Sequence, residues 1–332
     1  MADQRARFDV VGLGNAIVDV IGEADEALLA ELDLDKGMMT LLDEPRMHAL
    51  YARMGPAVEA SGGSCANTMA GLASLGGRAA YVGKVASDQL GEIFGHDIRS
   101  AGVAFSSQPL ADGPPTARCL VFVTPDAQRT MGTYLGACVE LGPKDVDHAL
   151  IRDAAITYLE GYLWDRPDAK AACLRAAEIA HANGREIALT LSDPFCVDRW
   201  RDEFVSLIEA HVDILIANEA EITSLFQTDD FETALGEARR RCRLVAATRG
   251  PHGSTVASAD EAHVVPAAPV PHVLDTTGAG DLFAAGLLYG LTHGLPLPAC
   301  GRLGSATAGA ILGQFGARSE HALAPLIETA AA

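Results

Sequence analysis

Seven residues, Asp275-Thr276-Thr277-Gly278-Ala279-Gly280-Asp281, run straight into the apolar stretch Leu282-Phe283-Ala284-Ala285-Gly286-Leu287-Leu288. A glycine-rich turn that opens a helix presents amides with no intrahelical partner. Together with the helix dipole they form an anion site. Gly278 and Gly280 let the backbone approach an anion without a Cβ in the way. Asp281 would repel that anion unless its task is to take a proton from an attacking hydroxyl. The pattern reads as phosphoryl transfer to an alcohol. A capping aspartate would explain Asp281 alone. The apolar helix behind it, with Gly286 and Gly290 for close packing, and the paired threonines favour the chemical reading.

A second glycine turn, Ser61-Gly62-Gly63-Ser64-Cys65-Ala66-Asn67, opens a helix that ends at Leu75-Gly76-Gly77. Gly62 and Gly63 let backbone amides near a ligand, and Asn67, about one turn in, can both donate and accept. Asp19 lies within Ala16-Ile17-Val18-Asp19-Val20-Ile21, where a carboxylate needs hydrogen-bond partners. Vicinal sugar hydroxyls would supply two, and a nearby turn would serve structurally. Asn15, four residues earlier, could reach the same ligand.

Three further groups follow strand-like runs. Asn218 and Glu221, in Asn218-Glu219-Ala220-Glu221, have the oxygen chemistry to hold Mg²⁺-bound water or phosphate. The glycines of Thr248-Arg249-Gly250-Pro251-His252-Gly253 permit approach to a nucleotide. Arg129 precedes Thr130-Met131; with only lysines 36, 84, 144 and 170 in the chain, a phosphate clamp falls to arginine or backbone. Gly83-Lys84 lacks both the earlier glycine and the following hydroxyl of a P-loop, which excludes that chemistry.

Positioning these groups requires a scaffold of alternating elements. Short β-branched runs at 8–13, 79–85, 119–123, 155–159, 186–191, 213–217 and 244–248 read as strands. Helical stretches are expected at 64–75, 89–100, 167–182, 219–226, 231–240, 281–291 and 298–312. The alternation implies right-handed βαβ units, a mostly parallel doubly wound α/β sheet, and ligands beyond the strands' carboxyl ends. Residues of about 16–60 and 103–135 break the rhythm and suggest a small extra sheet.

Composition narrows the classes. The chain has 332 residues, 49% hydrophobic but only 5% aromatic, which suits aliphatic helices on parallel strands. A net charge of −19 argues against a nucleic-acid partner and requires local neutralisation of any phosphate. Seven scattered cysteines, never in Cys-x-x-Cys, suit free thiols in the cytoplasm, and no apolar run is long enough for a membrane span. A nicotinamide-linked dehydrogenase is the competing enzyme class, but Gly12-Leu13-Gly14 lacks its third glycine, where Ile17 stands. A non-catalytic ligand sensor is the other alternative, and the intact Asp281 motif argues against it.

In this order the motifs resemble the ribokinase/PfkB carbohydrate kinases over nearly the whole chain. Asp275–Asp281 is similar to the family's C-terminal signature, Gly62-Gly63 with Asn67 to its N-terminal one, and Asn218 with Glu221 to its Asn-x-x-Glu element. The resemblance implies one αβα domain spanning 1–332, with a small β-lid from the two irregular stretches. It implies Asp281 as base and Gly278, Ala279 and Gly280 as anion cradle. Asn15, Asp19, Gly62, Gly63 and Asn67 would bind the acceptor. Asn218 and Glu221 would organise Mg²⁺ and phosphates, and Thr248, Gly250 and Gly253 would line the nucleotide loop. Asp275, Thr277, Gly316 and Ala317 partly echo a monovalent-cation (K⁺) loop. Within the family the likeness is nearest to the adenosine kinases, through Asn15, Asp19, Gln128-Arg129-Thr130-Met131 and Gly161-Tyr162. That implies ATP-dependent phosphorylation of the adenosine 5′-hydroxyl, with Arg129 on the phosphate and Met131 and Tyr162 flanking the purine. Another nucleoside, ribose or a hexose remains open as acceptor, as does monomer against homodimer.

Overall fold

The computed structural model describes residues 6–126 and 128–331. Its strands are β1 (Phe8–Leu13), β2 (Ile17–Glu23), β3 (Met39–Leu41), β4 (Ala57–Gly62), β5 (Ala79–Val82), β6 (Ala104–Phe105) and β7 (Ala117–Val123). They continue as β8 (Arg129–Tyr134), β9 (Ala154–Glu160), β10 (Glu186–Thr190), β11 (Ile214–Asn218), β12 (Leu244–Thr248), β13 (Ser254–Ser258) and β14 (Ala262–Val265). Nine form one sheet in the order β14-β13-β12-β11-β10-β9-β1-β5-β6, and five form a smaller one, β3-β8-β7-β2-β4.

From β12 to β6 the large sheet is parallel throughout, as the alternating elements require. Its strands are apolar on both faces because both are covered. Val11, Leu13, Leu159 and Leu189 pack on the side of the helices Pro167–Ala182 and Pro194–His211. Val10, Ile156, Tyr158 and Ala188 pack on the other side, against the helices Ser64–Ser74 and Ala279–Thr292. The period-two alternation of the strand assigns each residue to its layer.

Every expected strand and helix is present, with ends displaced by up to three residues. The sequence reading lacks the helix Pro194–His211, which is rich in charge and contains an internal kink at Trp200. A cap from Asp193, which accepts from the Cys196 amide, and proline in the first turn start it, and its buried face is Cys196, Val197, Phe204, Leu207 and Ile208. The reading also lacks the antiparallel β13–β14 edge, where the hydroxyl residues Ser254 and Thr255 are buried and Val264 is exposed, so no inward-apolar alternation marks it.

The small sheet is built from the two irregular stretches. Its β2 leaves the large sheet three residues after β1, and β4 returns through Gly62-Gly63 into the Ser64 helix. Val20, Leu120, Phe122 and Tyr134 pack with Leu29, Met47 and Leu50 on one face. The register aligns Asp19 with Cys119 and Cys119 with Thr133 on the other. Alternation therefore turns Asp19 away from the small core. No helix among the described residues is long and apolar enough to cross a membrane.

The helix Ala279–Thr292 is held in place by close packing on Leu297–Leu312. A Cβ on Gly286 would come within 2.5 Å of Thr307 Oγ1 and 2.7 Å of the Leu303 carbonyl oxygen. Gly286→Val should therefore cost about 1–3 kcal/mol of stability from overpacking. Urea denaturation tests this, and an unchanged midpoint would mean that the helix pair yields without cost.

Candidate active site

The crevice follows from topology. The chain passes from β1 to β5 on one side, while β9 lies on the other, so a cleft opens beyond the carboxyl ends of β1 and β9. Asn15 follows β1, and Glu160 ends β9. Glu160 Oε1 accepts from the Asn15 amide at 3.3 Å and from Asn15 Nδ2 at 2.9 Å, and Oε2 accepts from the Cys65 amide at 3.0 Å. This buried carboxyl joins the β1 loop, the β9 end and the first turn of the Ser64 helix. Burial pushes its pKa up to about 7, against the pull of the Cys65 and Asn15 bonds. Sequence reasoning missed Glu160, although a carboxylate directly after a buried parallel strand was the signal, as at Asn218-Glu219.

Two helix N-termini meet at Asp281. The cap of its own helix is Gly278, at φ 77°, and no side chain caps it, so Asp281 does not serve its own helix start. Its Oδ1 instead accepts from Ser64 Oγ at 2.6 Å, and its Oδ2 from Asn67 Nδ2 at 3.0 Å. Burial raises its pKa, opposed by these two bonds. The Ala279 amide is engaged by the Thr276 carbonyl at 3.2 Å. In front of Gly280 the space is open, and a Cβ there would meet nothing within 4 Å. At Gly278 the reverse holds, since a Cβ would press on Ala317.

The acceptor group converges on the same place. Gly63 adopts φ 95°, and a Cβ there would lie 2.3 Å from the Asn15 carbonyl oxygen; one on Gly62 would lie 2.5 Å from Asp19 Oδ2. The Asp19 carboxylate thus rests on the backbone of the second glycine turn. Burial pushes its pKa up to about 6, with Arg318 and Arg129 opposing and Asp281 adding to the rise.

Arg129 opens β8 and reaches the loop before the helix Ala279–Thr292, with Nη2 2.8 Å from Asp275 Oδ2. Asp275 also accepts from the Thr277 amide, Thr277 Oγ1 and the Gly316 amide, at 2.7–2.9 Å. Burial alone would raise Asp275, but these bonds and the Arg129 charge hold it below the ordinary range. Met131 lies one β-pair further on, beside Met39, and is half-buried. Tyr162 starts the turn after β9, and its hydroxyl donates to the Ser192 carbonyl at 3.4 Å.

At the carboxyl end of β11, two strands from β9, Asn218 and Glu221 bond one another. The Asn218 amide and Nδ2 donate to the two Glu221 oxygens at 2.9 and 2.6 Å, and the Glu221 amide donates to Asn218 Oδ1 at 2.9 Å. Burial pushes Glu221 up to about 7. Both its oxygens are engaged, and among the described residues no cluster of three His, Cys, Asp or Glu could hold a metal. A divalent ion fits here only with phosphate and water as its main ligands. Thr248 ends β12 beside Asn218. Gly250 is exposed with φ 54°. Gly253 is needed by the fold, because a Cβ there would strike the Val265 carbonyl oxygen at 2.0 Å.

The site thus brings together a carboxylate, Asp281, held between two helix starts, an open approach at Gly280, and a second carboxylate, Asp19, against the Gly62 backbone. Residues 52–322 match the pfkB family of carbohydrate kinases, and the chain belongs to that family of phosphotransferases acting on hydroxyl groups. Among solved structures, the adenosine kinase from Sinorhizobium meliloti is 54% identical, with a TM-score of 0.91 over 98% of this chain and 100% of that one. A probable sugar kinase protein from Rhizobium etli is 52% identical, with a TM-score of 0.91 over 98% of this chain and 99% of the other. The adenosine kinase of Saccharomyces cerevisiae is 28% identical over 308 residues, 86% of this chain and 89% of its own length.

Two outcomes are expected. Gly280→Ala should melt like the wild type, because its methyl group meets no protein atom, yet lose about 10²-fold in kcat through obstruction of the anion site. Thermal unfolding and steady-state rates measured side by side check this, and full activity would show that the Gly280 amide faces no reacting group. Asp19 is ionised only above a pKa of about 6, so kcat/KM should fall as pH drops through that value, well above the ordinary aspartate pKa of 3.8. An acid limb near pH 4 would contradict a buried acceptor carboxylate.

Proposed function

We propose that this enzyme transfers the terminal phosphoryl group of ATP to the 5′-hydroxyl of adenosine, giving AMP and ADP. The observation that carries the reading is the Asp281 carboxylate, held by Ser64 and Asn67 beside an open helix start at Gly280. Asp281 accepts the hydroxyl proton while the oxygen attacks the γ-phosphorus. The bond from that phosphorus to the bridging oxygen breaks, and ADP leaves with the electron pair. The amide of Gly280, with Gly278 and Ala279 shaping the turn, faces the charge on the transferred group. Asp19 accepts from the ribose hydroxyls, while Asn15, locked by Glu160, and the Gly62-Gly63 backbone complete the sugar site.

The choice of adenosine is supported by the likeness to the two adenosine kinases and by Met131 on β8 and Tyr162 in the turn after β9, which would flank the purine. Arg129 would exchange Asp275 for the transferred phosphoryl group as the small sheet closes over the acceptor and excludes water. Thr248 and Gly250 would line the nucleotide, with the Gly253 turn holding the loop, and Mg²⁺ bound to ATP supplies charge neutralisation on the phosphates. Asn218 and Glu221 would bond its waters. A K⁺ ion beside Asp275 fits this reading once Arg129 has left. The buried free cysteines suit a reducing cytoplasm.

Asp281→Asn should lower kcat by about 10²–10⁴-fold while adenosine affinity stays within about threefold. Rates and calorimetric binding are the two measurements, and near-normal turnover would reject the assigned base. An ADP-release screen with Mg-ATP should rank adenosine above other nucleosides, ribose and hexoses. A higher rate on free ribose would replace the acceptor and leave the chemistry standing.

A further inference from the structure

Arg318 lies outside every motif described above, in the segment that follows the helix Leu297–Leu312. Its Nη1 donates to Ser61 Oγ at 2.5 Å, and its Nε donates to Asn67 Oδ1 at 3.3 Å. Its Nη2 is buried with no hydrogen-bond partner among the described residues. A buried guanidinium with an unused donor is costly, and such groups persist where a site requires them.

The Asn67 contact has a chemical consequence. An amide side chain presents an acceptor at one end and a donor at the other, and rotation by 180° exchanges them. Arginine can only donate, so Asn67 must turn its oxygen to Arg318 and its nitrogen to Asp281. Reversed, the amide oxygen would face the Asp281 carboxylate and repel it. Ser61 is the last residue but one of the returning strand β4, and its amide donates to Asp97 Oδ2 at 3.1 Å. Arg318 therefore ties the last turn of the small sheet to the first turn of the Ser64 helix.

We infer that Arg318 is a positioning residue for phosphoryl transfer, which sets the polarity of the Asn67 amide against Asp281 and supplies a balancing positive charge beside Asp19. This rests on Asp281 as the base, but not on adenosine as the acceptor. The charged and titratable groups facing this pair are Arg129, Asp281 and Cys119 around Asp19, and Asp97 and Tyr81 around Arg318. Among them only Arg318 and Arg129 favour an ionised Asp19, so loss of Arg318 moves the protonation of Asp19 to higher pH.

The test is a double-mutant cycle at positions 318 and 67, read with whichever acceptor the wild type turns over fastest. Arg318→Met should lower kcat about tenfold or more and shift the acid limb of kcat/KM upward by roughly one pH unit. Arg318→Lys should restore the acid limb through its charge, yet leave kcat depressed, because one ammonium does not reproduce the two-nitrogen fork. In an Asn67→Ala background the same Arg318 changes should have little further effect on kcat, since the partner they act through is gone. Independent, multiplying losses would overturn the inference, as would a folded Arg318→Met enzyme with wild-type kcat and acid limb. Where Arg318→Met fails to fold, Arg318→Lys carries the cycle, and wild-type kcat in that variant overturns it equally.

Discussion

One carboxylate between two helix starts organises this molecule. Asp281 sits in the first turn of its own helix and accepts from Ser64 and Asn67 in the first turn of another. Both dipoles favour its charge, while burial opposes it. The balance leaves a carboxylate more basic than a solvated aspartate. Placing it demands that two helices, far apart in sequence, converge on the cleft beyond β1 and β9. The close packing of the Gly286 helix on its neighbour and of the Ser64 helix on the same layer accomplishes this.

Around that centre the buried acids divide the work. Glu160 and Glu221 are fully occupied with backbone and asparagine donors, so they act as fasteners: one for the loop at Asn15, one for the loop at Asn218. Among the described residues none donates a hydrogen bond to Asp19, which lies against the Gly62 backbone, with two arginines nearby. It is the acid with spare acceptor capacity. The charge of Asp19 is offset by Arg318 and Arg129, and those of Glu160 and Glu221 by the bonds they accept from Asn15, Cys65 and Asn218.

The scaffold was largely legible because its signals are local. The apolar run 8–13 and the amphipathic stretch 89–100 are β1 and a helix with those same bounds, since strand periodicity and a capping Asp88 are short-range properties. The helix Pro194–His211 was not legible, because its charged residues dilute the apolar stripe and only the facing layer shows which side is buried. Among site residues, Asp281, Asn67 and Asp19 stood out from their motifs. Glu160 and Arg318 did not, since each acts through partners 95 to 257 residues away.

The amino-acid order alone determined the α/β alternation, the two glycine turns and the presence of an aspartate beside a glycine-rich helix start, because propensity, capping and backbone freedom are encoded over a few residues. Tertiary structure decided which carboxylates are fasteners and which remain free. It also decided that Arg129 meets Asp275 and that Arg318 faces Asn67. Those outcomes depend on which side chains from distant segments share one dry, closely packed cleft, and no local pattern carries that information.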